Sequence, residues 1–227
     1  GKKALNKDGD FLPSDIRQLK NGQLELSIYV SDIPQLGYKT IWLKDYDNPS
    51  IKDNEEVGSR WETEYYVVEW NEKGEMLRLY DKKAQREILA PGALANQFQL
   101  FHDRPIVWDA WDIDPKFNDQ PADSIVLLGK DIQKGETQDS IRFKWQLSNS
   151  IIEQEMILYH HSSRIDFHTK VNWQEQHKLL KVAFPVDILC QKATYEIPFG
   201  AVERANHTNT SWERAQFEVC GHRFADL

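Results

Sequence analysis

One stretch of the sequence decides the fold class: Ile141-Arg-Phe-Lys-Trp-Gln-Leu147. Every second residue of this stretch is apolar, and the residues between them are Arg142, Lys144 and Gln146. Side chains of a β-strand point alternately to the two faces of a sheet, so this pattern predicts a strand with one buried face and one polar face.

Two further strand candidates follow, at Ile151 to Tyr159 and at Ile165 to Trp173. The connections between the three are short, and parallel pairing would require long crossovers, so we expect an antiparallel meander. No helical pattern of ten or more residues is apparent, and the piece from Trp212 to Phe217 predicts one or two helical turns. The sequence therefore predicts an all-β protein built as an antiparallel β-sandwich.

Further strand patterns occur towards the start of the chain. Trp61 to Trp70 and Glu75 to Tyr80 flank the turn Asn71-Glu-Lys-Gly74, whose glycine suits a hairpin turn with positive φ. Earlier still, Leu24 to Val30 alternates apolar and polar residues, and a second run covers Tyr38 to Leu43. These two runs predict a small β unit that ends near residue 45.

A polar stretch separates the two β regions. It reads Asp45-Tyr-Asp-Asn-Pro-Ser-Ile-Lys-Asp-Asn-Glu-Glu-Val-Gly-Ser59 and combines proline, glycine and asparagine with acidic residues. Such a composition is typical of a linker or an exposed loop. We therefore predict part of a small β domain at 1–46, a linker at 47–58 and a large β-sandwich domain at 59–227.

The charge and composition exclude some classes of partner. The formal net charge is −8 and there is no run rich in lysine and arginine, which argues against binding to nucleic acid. No stretch approaches the roughly 20 apolar residues that cross a bilayer, so we expect no membrane partner.

The cysteine content points to a reducing compartment. Cys190 and Cys220 are too few for a disulfide framework and are not spaced as a metal-binding pair. The two glycosylation sequons, which start at Asn206 and Asn209, are interpreted as chance matches to a short motif. The expected location is therefore the cytoplasm.

The first candidate site is the segment Phe101 to Asp114, which contains Trp108, Asp109, Trp111 and Asp112. Indole faces pack against the C–H face of a pyranose, and carboxylates accept hydrogen bonds from its hydroxyl groups. The alternative is that both indoles anchor the core and the acids cap a turn. Acids this close in sequence seldom flank a scissile bond from opposite sides, so we do not expect a self-contained catalytic pair.

A second candidate site lies in the tail from Tyr195 to Leu227. Arg204, His207 and Asn209, with Trp212 beside them, could line a polyol site or could tie down a long loop through buried hydrogen bonds. The residues alone leave both interpretations open.

Three histidines, His160, His161 and His168, form the tightest histidine group in the sequence. His168 shares the polar face of its predicted strand with Asp166 and Lys170, which favours a surface position. No spacing typical of metal ligands is present. The sequence also lacks nucleotide-binding, serine-hydrolase and redox motifs.

Several ordered blocks of sequence resemble a known family. The blocks are Asp32-Ile-Pro-Gln-Leu-Gly-Tyr-Lys-Thr40, Asp81 to Leu89, Asn96 to Asp114, Tyr195-Glu-Ile-Pro-Phe-Gly200, His207-Thr-Asn-Thr-Ser-Trp212 and Phe217 to Leu227. In this order they are similar to the C-terminal β region of glycoside hydrolase family 38 α-mannosidases, particularly the cytosolic, vacuolar and bacterial branch. The resemblance covers nearly the whole chain.

The resemblance implies a retaining, exo-acting α-mannosidase that uses a divalent metal, normally zinc, held by two histidines and two aspartates, with an aspartate nucleophile. These residues belong to an N-terminal α/β barrel and the helical segment after it, which the resemblance places before Gly1. The chain would then hold part of a small β domain and a large sandwich of galactose-mutarotase-like type, which the family continues beyond Leu227.

The expected role is that of a non-catalytic fragment that supports the catalytic barrel and glycan binding. The resemblance implies two partners, a mannose-containing oligosaccharide and the protein's own N-terminal catalytic domain, and it is compatible with a homo-oligomeric parent. Two alternatives stay open at this point. One is an autonomous carbohydrate-binding module, and the other is a mutarotase-like sugar epimerase, although fold alone does not imply function.

Overall fold

The computed structural model describes residues 2–18, 21–45, 58–109, 111–123 and 125–227. Most of the predicted linker, residues 47–57, lies outside these ranges. The described strands are β1 (Lys2–Leu5), β2 (Ser14–Gln18), β3 (Leu24–Ile28), β4 (Trp42–Asp45), β5 (Arg60–Glu62), β6 (Tyr66–Trp70), β7 (Met76–Asp81), β8 (Arg86–Glu87), β9 (Gln97–His102), β10 (Ile125–Gln133), β11 (Gln138–Leu147), β12 (Ser150–Tyr159), β13 (Ile165–Asn172), β14 (Lys178–Ala183), β15 (Lys192–Ile197), β16 (Gly200–Ala205) and β17 (Ala225–Asp226).

The predicted meander is confirmed. Strands β10, β11, β12 and β13 form one antiparallel sheet in chain order. The alternation in β11 is confirmed as well, because Ile141, Phe143, Trp145 and Leu147 are buried whereas Lys144 is exposed. One face of this sheet therefore supplies a continuous apolar surface.

A second sheet contains β5, β6, β7 and β8 in order. The predicted hairpin is confirmed by the pairing of β6 with β7, and Gly74 in its turn has a φ of 78°. The predicted single strand from Trp61 to Trp70 is wrong, since β5 and β6 are separate. The chain turns between them because the Thr63 hydroxyl accepts hydrogen bonds from the backbone N–H groups of Tyr65 and Tyr66.

The two sheets pack face to face around one core, to which β9 also contributes. Strand β9 pairs with β14, a connection between distant parts of the chain that sequence alone did not predict. The buried core residues are Val68, Trp70, Met76, Leu89, Ala95, Leu100, Ile132, Ile141, Phe143, Trp145, Leu147, Ile152, Met156 and Leu158. The all-β sandwich predicted from the sequence is therefore confirmed.

The small β unit near the start contains two strand pairs. Strand β2 pairs with β3, and β1 pairs with β4. The predicted strand Tyr38 to Leu43 is shifted, because β4 begins only at Trp42, where the chain comes into register with Leu5. The residues before it follow a turn in which the N–H of Gly37 donates to the carbonyl of Pro34.

Polar contacts attach this unit to the sandwich. The Lys3 ammonium lies 3.0 Å from the Glu136 carboxylate, and Arg17 lies 3.2 Å from Glu155 on β12. The ring of Tyr29 stacks on that of His161 with centroids 4.0 Å apart. His161 therefore belongs to a contact between the two parts of the chain rather than to a metal site.

The tail adds a three-stranded sheet in the order β16-β15-β17 and a five-residue helix, α1 (Ser211–Ala215). Among the described residues, only this helix and a 3-10 turn at Phe117–Asp119 are helical. The helix was expected at Trp212 to Phe217 and begins one residue earlier, whereas the 3-10 turn was not predicted. No described helix has the length and apolar character required to cross a membrane. Cys190 and Cys220 are free thiols.

Candidate functional site

The first candidate site is an exposed loop between β9 and the 3-10 turn. The indole of Trp108 is 71% exposed and that of Trp111 is 89% exposed. A tight turn holds them together, because the Trp108 carbonyl accepts hydrogen bonds from the N–H groups of Trp111 at 2.6 Å and Asp112 at 2.9 Å. The alternative that these indoles anchor the core is wrong, because both residues are largely exposed.

The acids of this loop have different surroundings. One Asp109 carboxylate oxygen lies 3.7 Å from Nδ1 of His177, and both side chains are more than half exposed. Within the part of the chain that the structure describes, the carboxylate of Asp112 accepts a hydrogen bond only from the adjacent N–H of Ile113, at 2.9 Å. Both carboxylates therefore keep lone pairs free for hydroxyl donors.

The predicted turn-capping role is confirmed for Asp114, the third acid of this segment, and Asp103 shares it. The Asp103 carboxylate accepts the N–H of Asp114 at 2.8 Å. The Asp114 carboxylate in turn accepts the N–H of Lys116 and the side-chain amide of Gln120, both at 2.9 Å. These bonds fix the course of the loop between Asp103 and Gln120.

His177 is the residue of this site that sequence reasoning missed. It immediately precedes β14, has a φ of 51°, and its carbonyl accepts the N–H of Asp103 at 2.9 Å. The pairing of β9 with β14 brings it beside Asp109. Since this pairing joins distant segments, no local pattern around His177 indicates the contact.

The end of the loop is anchored in an aromatic cluster. Phe117 is fully buried, and its ring lies 5.2 Å from that of Phe101 and 6.3 Å from that of Phe217 in the tail. The Lys181 ammonium lies 4.7 Å above the Phe117 ring and pairs with Glu218. The tail thus supports the loop through packing.

The second candidate group mainly ties down its own segment. The Arg204 guanidinium donates to the carbonyl of Cys220 at 3.4 Å and lies 5.7 Å from the centre of the Tyr195 ring. Nδ1 of His207 is 3.3 Å from a carboxylate oxygen of Glu213. Asn209 is exposed. Arg204 and His207 therefore contact their own segment, although through partly exposed contacts and not through the buried hydrogen bonds of the loop-tying interpretation.

Glu213 is the ion-pair partner of His207 in this second group. Its carboxylate accepts the N–H of Thr210 at 2.8 Å, and Thr210 reciprocally caps α1 as part of a capping box. The hydrogen bond from the Thr210 backbone lowers the pKa of Glu213 despite an opposing effect of burial, and His207 lowers it further. The charged carboxylate therefore stabilises both the helix start and the position of His207.

The structure does not unite the two candidate groups. Among the described residues, no hydrogen bond or ion pair links Trp108, Asp109, Trp111 or Asp112 to Arg204, His207 or Asn209. A metal centre does not fit either. No group of three or more histidine, cysteine, aspartate or glutamate side chains in the described ranges could hold an ion.

Comparisons with known proteins identify the class of this sandwich. Residues 61–227 match the family model described as "Glycosyl hydrolases family 38 C-terminal domain". The match defines a β-sandwich domain of a glycosyl hydrolase. The chain belongs to family 38, which confirms the resemblance seen in its sequence blocks.

Curated relatives and a solved structure agree. The chain is 43% identical over 147 residues to Alpha-mannosidase 2C1 of Mus musculus, a match that covers 63% of this chain and 14% of that protein. It is 34% identical over 189 residues to Alpha-mannosidase G of Dictyostelium discoideum, covering 80% of this chain and 17% of that protein. The chain thus spans less than a fifth of the length of these relatives.

The solved structure is that of an alpha-mannosidase from Enterococcus faecalis V583. It superposes with a TM-score of 0.61 at 14% sequence identity, covering 93% of this chain and 29% of that one. At this identity the likeness establishes the shared fold.

Proposed function

We propose that this chain is a non-catalytic C-terminal part of a retaining, metal-dependent α-mannosidase that removes terminal α-linked mannose from glycans. The observation that carries the proposal is the family match over residues 61–227, together with relatives named alpha-mannosidases at 34% to 43% identity. In this proposal the catalytic aspartate and the metal, normally zinc, belong to the parent's N-terminal domain. That domain and a mannose-containing oligosaccharide are the proposed partners.

The contribution of this chain to glycan binding comes from the exposed loop. Trp108 and Trp111 offer aromatic faces to a sugar ring, while Asp109 and Asp112 offer hydrogen-bond acceptors to its hydroxyl groups. The proposed substrate-binding set also includes Arg204, His207 and Asn209, which lie on the separate tail segment. Only the chemistry of these side chains supports the second group. Arg204 and His207 already contact their own segment, so their positions alone do not indicate a ligand.

The location and domain organisation form part of the same proposal. Two free thiols suit the reducing conditions of the cytoplasm. The small β unit at 1–46 is treated as a domain of its own, joined by the linker at 47–58 to the sandwich at 59–227.

One observation favours a second candidate, an autonomous carbohydrate-binding module. In this chain by itself, both tryptophans of the loop are exposed and can contact a sugar. The epimerase alternative gains no such support, because Asp109 and Asp112 stand on an exposed loop.

Calorimetric titration of the 227-residue chain with methyl α-mannoside separates the two candidates. A module binds the sugar alone, and the Trp111→Ala variant then loses that binding. An accessory part of the enzyme shows no saturable binding by itself, which is the outcome we expect.

Activity and metal content test the non-catalytic assignment. We expect no hydrolysis of aryl α-mannosides by the isolated chain and no stoichiometric zinc by elemental analysis after dialysis. One tightly held zinc per chain, or turnover above the rate of a buffer blank, contradicts the proposal.

A further inference from the structure

Two polar atoms in the sandwich core are buried without a hydrogen-bond partner among the described residues. They are the indole nitrogen of Trp70, at the end of β6, and the side-chain oxygen of Asn96, just before β9. Trp70 is 2% exposed and Asn96 is 3% exposed. A buried donor or acceptor that stays unpaired destabilises the fold, so each such atom requires a partner.

Both residues line the same small cavity. Its volume is about 10 Å³, which approaches the space that one water molecule requires. The remaining lining residues are Val68, Gly74, Met76, Phe143 and Met156. A residue with an unpaired donor and a residue with an unpaired acceptor therefore line one space close to the size of a water molecule, and its other walls are apolar.

In the structure the other contact of the Asn96 amide engages its nitrogen. Its nitrogen donates to the side-chain oxygen of Gln154 at 2.6 Å, and the Gln154 nitrogen donates to the Thr169 hydroxyl at 3.0 Å. The Asn96 nitrogen is thus engaged, and its oxygen remains for a different donor. The Trp70 indole supplies only a donor.

We infer that this cavity is a binding site for one structural water molecule, which accepts from the Trp70 indole N–H and donates to the Asn96 oxygen. The water satisfies both unpaired atoms at once, because it carries donor and acceptor groups of its own.

The bound water completes a series of side-chain hydrogen bonds across the sandwich. The series runs from Trp70 on β6 through the water to Asn96, and then through Gln154 on β12 to Thr169 on β13. It connects the two facing sheets, and a buried network of this kind favours one packing arrangement only when every member is satisfied.

High-resolution crystallography of a protein containing these residues tests the inference directly. We expect one ordered water with hydrogen bonds of about 2.7–3.2 Å to Trp70 Nε1 and Asn96 Oδ1. A cavity free of density overturns the inference. A rotated Asn96 side chain that accepts directly from Trp70 overturns it as well.

Water–protein NMR cross-relaxation gives an independent readout in solution. The Trp70 indole proton should show a cross-peak with the sign of a long-lived bound water. The matched control is the Trp61 indole, whose N–H already donates to Asp139 at 2.9 Å and which does not line this cavity. An absent cross-peak at Trp70, or cross-peaks of equal strength at both indoles, contradicts a specific water site.

Discussion

The carboxylate of Asp15 on β2 accepts a hydrogen bond from the backbone N–H of Glu136 at 2.6 Å, across the boundary between the small β unit and the sandwich. The same carboxylate accepts the N–H of Thr137 at 2.8 Å and the Thr137 hydroxyl. One side chain therefore satisfies several donors of the turn between β10 and β11. Charge-assisted hydrogen bonds therefore attach the small unit to the sandwich, and none of the described strands of one pairs with a strand of the other.

Replacing this carboxylate should weaken the attachment. We expect Asp15→Ala to lower the free energy of unfolding by about 2 kcal/mol, because the N–H groups of Glu136 and Thr137 lose a charged acceptor. Urea denaturation followed by tryptophan fluorescence measures the change. Asp8→Ala, at an exposed position in the preceding turn, is the control, and equal stability of the two variants would refute the role given to Asp15.

The hairpin turn at Gly74 is confined both by backbone conformation and by packing. Its φ is 78°, and a Cβ there would lie 3.0 Å from the Trp145 ring and 3.1 Å from the Phe143 ring. Gly92 has a similar φ of 73° with no atom within 4 Å of such a Cβ. Substitution of Gly92 therefore measures backbone strain alone, whereas substitution of Gly74 measures backbone strain together with steric crowding.

We expect Gly92→Ala to cost about 1 kcal/mol through backbone strain alone. Gly74→Ala should cost roughly 1–3 kcal/mol more, because the added methyl group overpacks the core. Thermal and urea unfolding of both variants give the difference. Equal losses of stability in the two variants would show that the Phe143 and Trp145 rings can move to accommodate the methyl group without an energetic penalty.

Trp111 tests the sugar-binding role of the exposed loop in the longer enzyme. If the indole contacts mannoside in the transition state, Trp111→Ala should lower kcat/KM about tenfold, which corresponds to about 1.4 kcal/mol. The melting temperature should stay unchanged, because an indole that is 89% exposed contributes little to core packing. Enzyme kinetics and thermal melts are therefore required on the same variant.

The matched control for this substitution is Tyr38→Ala, which removes another aromatic ring that is 87% exposed but lies on the small β unit. We expect this control to retain wild-type kinetics. Unchanged kinetics for Trp111→Ala as well would remove the loop from the proposed substrate-binding set.

Limited proteolysis examines the proposed domain boundary. Polar segments that contain proline and glycine make few contacts and therefore open easily to a protease. The first cleavage should fall between Asp45 and Ser59. Mass spectrometry of the early fragments locates the cut. A first cleavage within β11, β12 or β13 would instead contradict the boundary.

The sequence by itself determined the strands whose residues alternate strictly and the turns that join neighbours. Strand β11 and the turn at Gly74 follow from local rules, because side-chain period and glycine conformation act over a few residues. The short connections after β11 also determined its antiparallel partners. The family, too, was evident from the sequence, since its blocks retain their order along the chain.

Only the tertiary structure decided which distant segments meet. The pairing of β9 with β14 brings His177 to Asp109, and neither segment carries a local signal for the other. Exposure was equally undetermined, because an indole such as Trp111 suits a core or a surface until the surrounding chain is placed. Burial and long-range contact depend on the packing of the whole sandwich, whereas strand and turn formation depend mainly on adjacent residues.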